Sequence, residues 1–212
     1  MHKSGSLRNR PEFNSPGSFA GKRILRSIPM AALLVISLYF HAPAAIAGGH
    51  EGSVPHDEMI RMGFIEAVEA LRSGKISAAV YSRACIDQAV KFEDYNILSQ
   101  MSRSYVTSAA AAVDEKRKSG TEIGMLQGVP YAIKDAVDVL EYYTIAGHPS
   151  LKTFEPRIDA DLVKIYREND GICLGKTQIP PLAAWYTTEN TMTGYTGNPF
   201  NKDYKTGGSS GG

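Results

Sequence analysis

The chain has 212 residues, of which 43% are hydrophobic and 21% are charged, which is ordinary for a globular protein with one core of moderate size. Its formal net charge of +1 hides an uneven distribution, because residues 1–27 hold six basic side chains and one acidic one, whereas the part after residue 47 holds 17 basic and 21 acidic ones. The part after residue 47 is therefore mildly acidic, which gives no electrostatic attraction to nucleic acid, and we expect no nucleic-acid partner.

The first 47 residues predict a secretory signal peptide with a long basic leader. A basic stretch precedes an apolar run over residues 30–40, and an Ala-Ile-Ala triplet that ends at Ala47 is typical of a cleavage site. We therefore expect export, to the periplasm or out of the cell, with cleavage after Ala47. On this division residues 1–47 are the signal, and residues 48–212 are a mature part with no stable membrane insertion.

An uncleaved membrane anchor is the alternative interpretation of the same segment. Residues 28–47 carry no Lys, Arg, Asp or Glu, and this stretch is long enough to span a bilayer as a helix. Two prolines and a histidine interrupt it, however, at Pro29, His41 and Pro43. They make it a poor transmembrane helix, so export is favoured over anchoring.

Two cysteines, Cys85 and Cys173, lie far apart in the predicted mature part. They could pair in an oxidising compartment, but sequence spacing does not show whether their Cα atoms come close, and single buried thiols are the favoured interpretation. Neither has a second cysteine or a histidine at metal-ligand spacing, and the five histidines do not cluster. We therefore predict no metal site.

Three packing helices are predicted in the first part of the mature chain. The first ends near Ser73, and its apolar positions at helical spacing are Met59, Phe64, Val68 and Leu71. Ser77 is the predicted N-cap of the second helix, whose apolar positions are Val80, Ala84, Ile86, Ala89 and Val90. The third runs from about Ser102 to Lys118, and Gly120 closes it.

A strand, a helix and a second strand are predicted next. Residues 128–135 (GVPYAIKD) form a short β-type run that delivers Lys134 where a strand meets a loop, which is a common position for active groups. Residues 159–168 form the predicted helix, and residues 171–175 form the buried strand that follows it. The inner side of this helix is predicted to carry Leu162, Val163, Ile165 and Tyr166. Strand, helix and strand in this order predict an α/β fold.

The tripeptide Gly175-Lys176-Thr177 invites comparison with a phosphate-binding loop. That loop requires a glycine five residues before the glycine of GKT, and Asp170 occupies this position. We therefore predict a strand end with a solvated lysine. Farther along, Pro180 and Pro181 predict the start of another helix, and residues 187–208 are rich in loop formers.

Lys134 and the closing GGSSGG run, residues 207–212, carry the strongest functional signal. Alone, a lysine after an apolar strand is usually a surface residue, and such a glycine-serine run is often a flexible linker. Together they indicate catalysis, because a serine hydroxyl becomes a good nucleophile only when a base removes its proton, and a neutral lysine can be that base. Combinations of Ser and Lys are a known variant of the acyl-transfer triad.

With these motifs in place, the sequence resembles the amidase signature hydrolases over about residues 60–212. The matching motifs, in chain order, are GVPYAIKD (128–135), a TIAG turn (144–147), an Asp-Ala pair (159–160), LGKT (174–177), a TxxN and NP region (187–199) and GGSSGG (207–212). Within this family, the sequence resembles most the branch that acts on aryl-acetamide-like substrates, such as mandelamide or indoleacetamide hydrolases.

The resemblance implies a mixed β-sheet core covered by α-helices and a Ser, cis-Ser, Lys triad. Lys134 matches the base, and Ser209 matches the middle serine, which follows a cis peptide bond in this family and relays a proton between the base and the nucleophile. The family's nucleophilic serine and oxyanion hole lie beyond residue 212, so we expect residues 48–212 to be an incomplete N-terminal part and inactive alone. Ser210 is not expected to replace the nucleophile, since its neighbourhood supports the triad.

The activity implied for the complete protein is hydrolysis of a small-molecule carboxamide through a serine acyl-enzyme, without a cofactor. Two alternatives stay open. The first is a truncated product of the same fold with a binding or structural role and no catalytic activity. The second is a transamidase subunit, which the predicted export disfavours. The oligomeric state is also open, with a homodimer as one option. Five residues are candidates for substrate binding, with core packing as the alternative: Ala183, Ala184, Thr188, Asn190 and Ser210.

Overall fold

The structure is a computed structural model that describes residues 54–212. The predicted signal peptide and its cleavage site therefore lie outside the described residues. The helices of the described part are α1 (His56–Met59), α2 (Phe64–Arg72), α3 (Ala78–Lys91), α4 (Arg103–Lys118) and α5 (Asp161–Glu168). Its strands are β1 (Leu98–Met101), β2 (Pro130–Lys134), β3 (Ile172–Thr177), β4 (Glu189–Asn190), β5 (Gly194–Tyr195), β6 (Gly197–Asn198) and β7 (Asn201–Lys205).

The main sheet has the strand order β1-β3-β2. Strands β2 and β3 are parallel and are connected through α5, as a strand-helix-strand unit requires, whereas β1 pairs with β3 in the antiparallel direction. The sheet is therefore mixed, and the predicted α/β class is confirmed. Lys134, the last residue of β2, lies opposite Thr177 at the end of β3.

Helices pack on both faces of this sheet. Ile172 belongs to the larger apolar cluster, which it shares with residues of α2, α3 and α4 such as Leu71 and Val106. Its neighbour Cys173 belongs to a second cluster with Val163 of α5. Successive strand residues point to opposite faces, so the two clusters lie on the two sides of β3.

The predicted N-cap of the second helix is confirmed, but some predicted inner positions are wrong. The hydroxyls of Ser77 and Ser102 accept hydrogen bonds from main-chain N–H groups at the starts of α3 and α4, at 3.2 and 3.3 Å. The first predicted helix is broken before Gly63, which caps α2, and this turns Phe64 outward with 55% of its surface exposed. Leu162 and Ile165 of α5, which were predicted to face inward, are exposed. The apolar Val80 of α3 is exposed as well.

The segment after β3 differs from its prediction. Instead of a helix after Pro180, a single 3-10 turn spans Pro181–Ala183, because Leu182 adopts a left-handed backbone with φ of 54° that an α-helix excludes. Residues 187–208 contain two small antiparallel pairs, β4 with β5 and β6 with β7. These pairs carry the chain back toward the end of β2.

Candidate active site

The structure brings Lys134 and Ser209 together across 75 residues of sequence. Strand β2 ends at Lys134, whose side chain is half-buried, and its Nζ donates a hydrogen bond of 2.6 Å to the Ser209 Oγ. A neutral Lys134 amine could accept the Ser209 hydroxyl proton along the same line, because the two atoms are already within proton-transfer distance. The two groups can therefore act as a proton-transfer pair.

Ser209 is held by contacts of the residues just before it. A β-bridge joins Gly207 to Thr187, and the buried Thr188 donates a hydrogen bond from Oγ1 to the Gly207 carbonyl oxygen at 2.8 Å. The peptide bond from Gly208 to Ser209 is cis, as the family resemblance implies. Thr188, predicted to bind substrate, thus lies directly beneath the segment that carries Ser209.

Glycines around Ser209 permit a very close approach between two backbone segments. A Cβ on Gly208 would lie only 2.9 Å from the Tyr186 carbonyl carbon, and one on Gly211 would overlap the Thr188 hydroxyl and the Gly207 carbonyl. Any other residue at position 208 or 211 would push the segment away from residues 186–188. The glycine pattern therefore reflects a packing requirement, which a flexible linker would not have.

The predicted substrate residues Ala183 and Ala184 lie on the turn after β3. Ala183 is half-buried and has a left-handed backbone, as does Leu182 before it, and Ala184 is exposed. Left-handed backbone at a non-glycine residue is uncommon, so surrounding contacts must fix this turn. One such contact is the Leu182 N–H, which donates to the Ala146 carbonyl oxygen at 2.8 Å. The turn is therefore fixed to the TIAG turn.

Asn190 is buried, and its amide group is engaged within the chain. Its Nδ2 donates to the Ile179 carbonyl oxygen at 3.0 Å, and its Oδ1 accepts from the main-chain N–H groups of Met192 and Thr193 at 2.9 Å each. These contacts order the β4–β5 hairpin. Ser210, by contrast, is exposed. The substrate-binding roles of both residues stay predictions.

A buried ion pair beside Lys134 was missed in the sequence. Asp135 and Lys176 are 1% and 0% exposed, and the lysine Nζ lies 3.1 Å from the aspartate Oδ1. The prediction of a solvated Lys176 is wrong, because β3 is the central strand and the Lys176 side chain is covered by residues 143–146, where its Nζ donates to the Tyr143 carbonyl oxygen at 3.2 Å. An acidic residue directly after Lys134 was the available signal.

Both cysteines are free thiols in the structure, as favoured from the sequence. Burial raises the pKa of the Cys85 thiol to about 11, and it raises the pKa of the Cys173 thiol to about 11 as well. The thiolate is the nucleophilic form of cysteine. Neither cysteine is therefore a candidate nucleophile at neutral pH.

We expect slow alkylation of these two thiols in the folded protein. The raised pKa values reduce the thiolate at pH 8 by roughly two orders of magnitude relative to an ordinary thiol. Iodoacetamide labelling, read peptide by peptide by mass spectrometry, should be at least tenfold slower for Cys85 and Cys173 before denaturation than after it. Equal rates in the two states would contradict the burial described for these residues.

Two further observations concern residues 54–212 only. Nowhere in that range do three or more His, Cys, Asp or Glu side chains gather in a way that could hold a metal ion. None of the helices in the same range is both long enough and apolar enough to cross a membrane.

Known proteins resemble this chain over more than half of its length. The Amidase family model matches residues 82–212. A glutamyl-tRNA(Gln) amidotransferase subunit of Streptomyces avermitilis is 33% identical over 155 residues, which are 73% of this chain and 31% of that protein. Indoleacetamide hydrolase of Bradyrhizobium diazoefficiens is 34% identical over 150 residues, or 70% of this chain and 28% of the relative.

A solved structure gives the same assignment. A bacterial aryl acylamidase of the amidase signature family superposes with a TM-score of 0.67 and 30% identity, over 71% of this chain and 32% of the acylamidase. The chain belongs to the amidase signature family and has its mixed α/β fold. It spans about a third of the length of the relatives that it matches.

Proposed function

We propose that the complete protein that contains this chain hydrolyses a carboxamide to a carboxylate and ammonia or an amine through a serine acyl-enzyme. The observation that carries this proposal is the hydrogen bond of 2.6 Å between the Lys134 Nζ and the Ser209 Oγ. A base paired with a relay hydroxyl suits an amide, because the leaving amine must receive a proton as the C–N bond breaks.

The proposed steps keep protons and bonds in balance. Neutral Lys134 takes the Ser209 proton while Ser209 takes the proton of the nucleophilic serine, whose oxygen forms an ester with the acyl group. The proton then returns through Ser209 to the leaving nitrogen, and ammonia or an amine departs. Water, deprotonated along the same path, attacks the ester, the proton returns through Ser209 to the oxygen of the nucleophilic serine, and the carboxylic acid is released. The nucleophile in this scheme comes from a part of the protein outside residues 1–212.

We propose an aryl-acetamide-like substrate. Support comes from the similarity to an indoleacetamide hydrolase and to an aryl acylamidase. Trp185 and Tyr186 are both exposed, with stacked rings whose centroids are 4.9 Å apart, and they immediately precede Thr187 and Thr188. Such a surface suits the aryl part of a substrate. The acyl pocket would also use the predicted binding residues described above.

A transamidase subunit is the second candidate function. The 33% identity to an amidotransferase subunit favours it, whereas the basic and apolar leader disfavours it. The two functions differ in whether they require partner subunits, since a hydrolase releases carboxylate and ammonia without them. Full hydrolytic turnover by the purified protein alone would therefore reject the transamidase candidate.

The test is hydrolysis of a carboxamide panel by the complete protein. Indole-3-acetamide, phenylacetamide and glutamine are incubated separately, and ammonia and carboxylate are quantified in the same samples. The proposal expects the two products in equal amounts, with the aryl-acetamides preferred over glutamine. Absence of both products from every amide, in a folded sample, would contradict it.

Export is proposed on the leader alone, with cleavage after Ala47. N-terminal sequencing of the protein recovered from the periplasm or medium of its host should begin at Gly48. A protein that keeps residues 28–47 and sediments with membranes would support the anchored alternative instead.

A further inference from the structure

We propose that the buried Asp135–Lys176 ion pair is a positioning device that aims Lys134 at Ser209 and couples this base to the substrate turn. The inference rests on the proposed function and adds two residues to its machinery. Neither residue touches the reacting atoms, so both act through Lys134 and through the turns beside it.

Strand geometry sets the direction in which the Lys134 side chain points. Asp135 continues the β2 ladder, because its N–H donates to the Thr177 carbonyl oxygen at 3.2 Å. Successive residues of a strand point to opposite faces. A side chain of Asp135 that is fixed on one face of the sheet therefore directs the side chain of Lys134 to the other.

The register shows which face each residue uses. Lys176 is paired with Ile133, two residues before Asp135, so these three side chains share one face. Lys134 is paired with Thr177 and shares the opposite face with it. The segment of Ser209 lies on that opposite face, since a Cβ on Gly212 would come within 2.9 Å of the Thr177 Cβ.

The Asp135 carboxylate is held from three directions. Its Oδ2 accepts a hydrogen bond from the Ser99 hydroxyl of β1 at 2.9 Å, and its Oδ1 accepts one from the Ile145 N–H at 3.2 Å. The same Oδ1 faces the Lys176 Nζ at 3.1 Å. Strands β1 and β3 and the TIAG turn are thus fixed to the residue that follows the catalytic lysine.

The same pair also reaches the predicted substrate turn. The Asp135 carbonyl oxygen accepts from the Ala146 N–H at 2.9 Å, and the Ala146 carbonyl oxygen accepts from the Leu182 N–H at 2.8 Å. Leu182 precedes Ala183 in the turn with left-handed backbone. The main chain of Asp135 therefore connects the base to the substrate turn through Ala146.

The full burial of both charges supports a role beyond stability. Taking two ions out of water costs about as much as their attraction returns, and an apolar pair of similar volume is often at least as stable. Retention of such a pair next to a base is explained when the pair fixes one geometry. An aspartate that accepts several hydrogen bonds in fixed directions can hold the neighbouring residue in one geometry.

The test compares three variants of the complete protein. Asp135→Asn keeps the shape and the acceptor for Ile145 but leaves Lys176 without its counter-charge. Asp135→Asn combined with Lys176→Met removes both buried charges and keeps the test informative if the single variant does not fold. Asp170→Asn is the matched control, since it disturbs the ion pair of Lys116 and Asp170 at the opposite end of β3.

Catalysis is measured per active site, with sites counted by covalent titration with a fluorophosphonate. We expect both Asp135 variants to lose at least tenfold in kcat per titrated site with KM within threefold, and the control to stay within twofold of the wild type. A merely structural role would reduce the number of titrated sites and leave kcat per site unchanged, which would overturn the inference.

A second readout does not depend on activity. Acetylation of Lys134 by a limiting amine-reactive reagent, measured by peptide mass spectrometry, should be at least fivefold faster in both Asp135 variants, because the bond to Ser209 is loosened. The exposed Lys118 is the internal reference. A wild type without amidase activity would contradict the proposed function alone, and the acetylation rate would then decide the inference. Unchanged acetylation of Lys134 overturns it in either case.

Discussion

Replacement of Lys134 by alanine in the complete protein is expected to lower kcat/KM for carboxamide hydrolysis by about 100- to 10,000-fold, which is the usual contribution of a general base. The physical reason is that no other base contacts the Ser209 hydroxyl in the described hydrogen-bond network of residues 54–212. Ser209→Ala should lose activity in the same range, because it removes the relay between base and nucleophile. The measurement is steady-state kinetics on the preferred amide of the panel.

The combination of the two changes makes this prediction sharper. Residues that act as one unit give strongly non-additive losses, so Lys134→Ala with Ser209→Ala should be scarcely worse than either change alone. Lys118→Ala, at the exposed end of α4, is the matched control and should keep wild-type kinetics. A Lys134→Ala protein that is folded and retains more than a tenth of wild-type kcat/KM would contradict the assigned role.

Replacement of Lys176 by methionine is expected to lower the free energy of unfolding by about 3–5 kcal/mol, the usual cost of breaking a buried ion pair. Methionine fills a similar volume, but it leaves the Asp135 carboxylate charged in an interior where it is 1% exposed. Adding Asp135→Asn should restore most of the lost stability, because the remaining buried group is neutral. Chemical denaturation of the three proteins measures the effect.

The ion pair of Lys116 and Asp170 is the control for this stability prediction. Its atoms are closer, at 2.6 Å, but the side chains are 34% and 14% exposed. Solvent screens such a pair, so Lys116→Met should cost only about 1 kcal/mol or less. Equal losses for Lys116→Met and Lys176→Met would show that burial does not set the energetics of the Asp135 pair.

Local patterns were sufficient for much of the fold. Ser77 was recognisable as a cap because a hydroxyl before an apolar helical repeat satisfies free N–H groups. The strand that ends at Lys134, and α5 and β3 after it, follow from runs whose period fits one type of element. The contact between Ser209 and Lys134 was predicted from the family resemblance, since a contact between residues 75 positions apart produces no periodic pattern in the sequence.

Other features depend on tertiary contacts that no local pattern carries. Strand β1 reads LSQM, which has little strand character, and it forms because β3 offers it a pairing edge. Lys176 was expected in solvent because lysines are rarely buried, and its burial depends on Asp135, which lies 41 positions earlier. The left-handed turn at Leu182 likewise depends on a distant contact, because its N–H donates a hydrogen bond to the Ala146 carbonyl oxygen.

The central claim is that Lys134 and Ser209 serve an acyl-enzyme mechanism, and hydroxylamine partitioning tests it most directly. A shared acyl-enzyme must divide between water and hydroxylamine in a fixed proportion, whatever amine has left. The complete protein should therefore convert a carboxamide and its N-substituted analogues to hydroxamate and carboxylate in one common ratio. Ratios that change with the leaving amine, or hydrolysis that yields no hydroxamate at all, would contradict the claim.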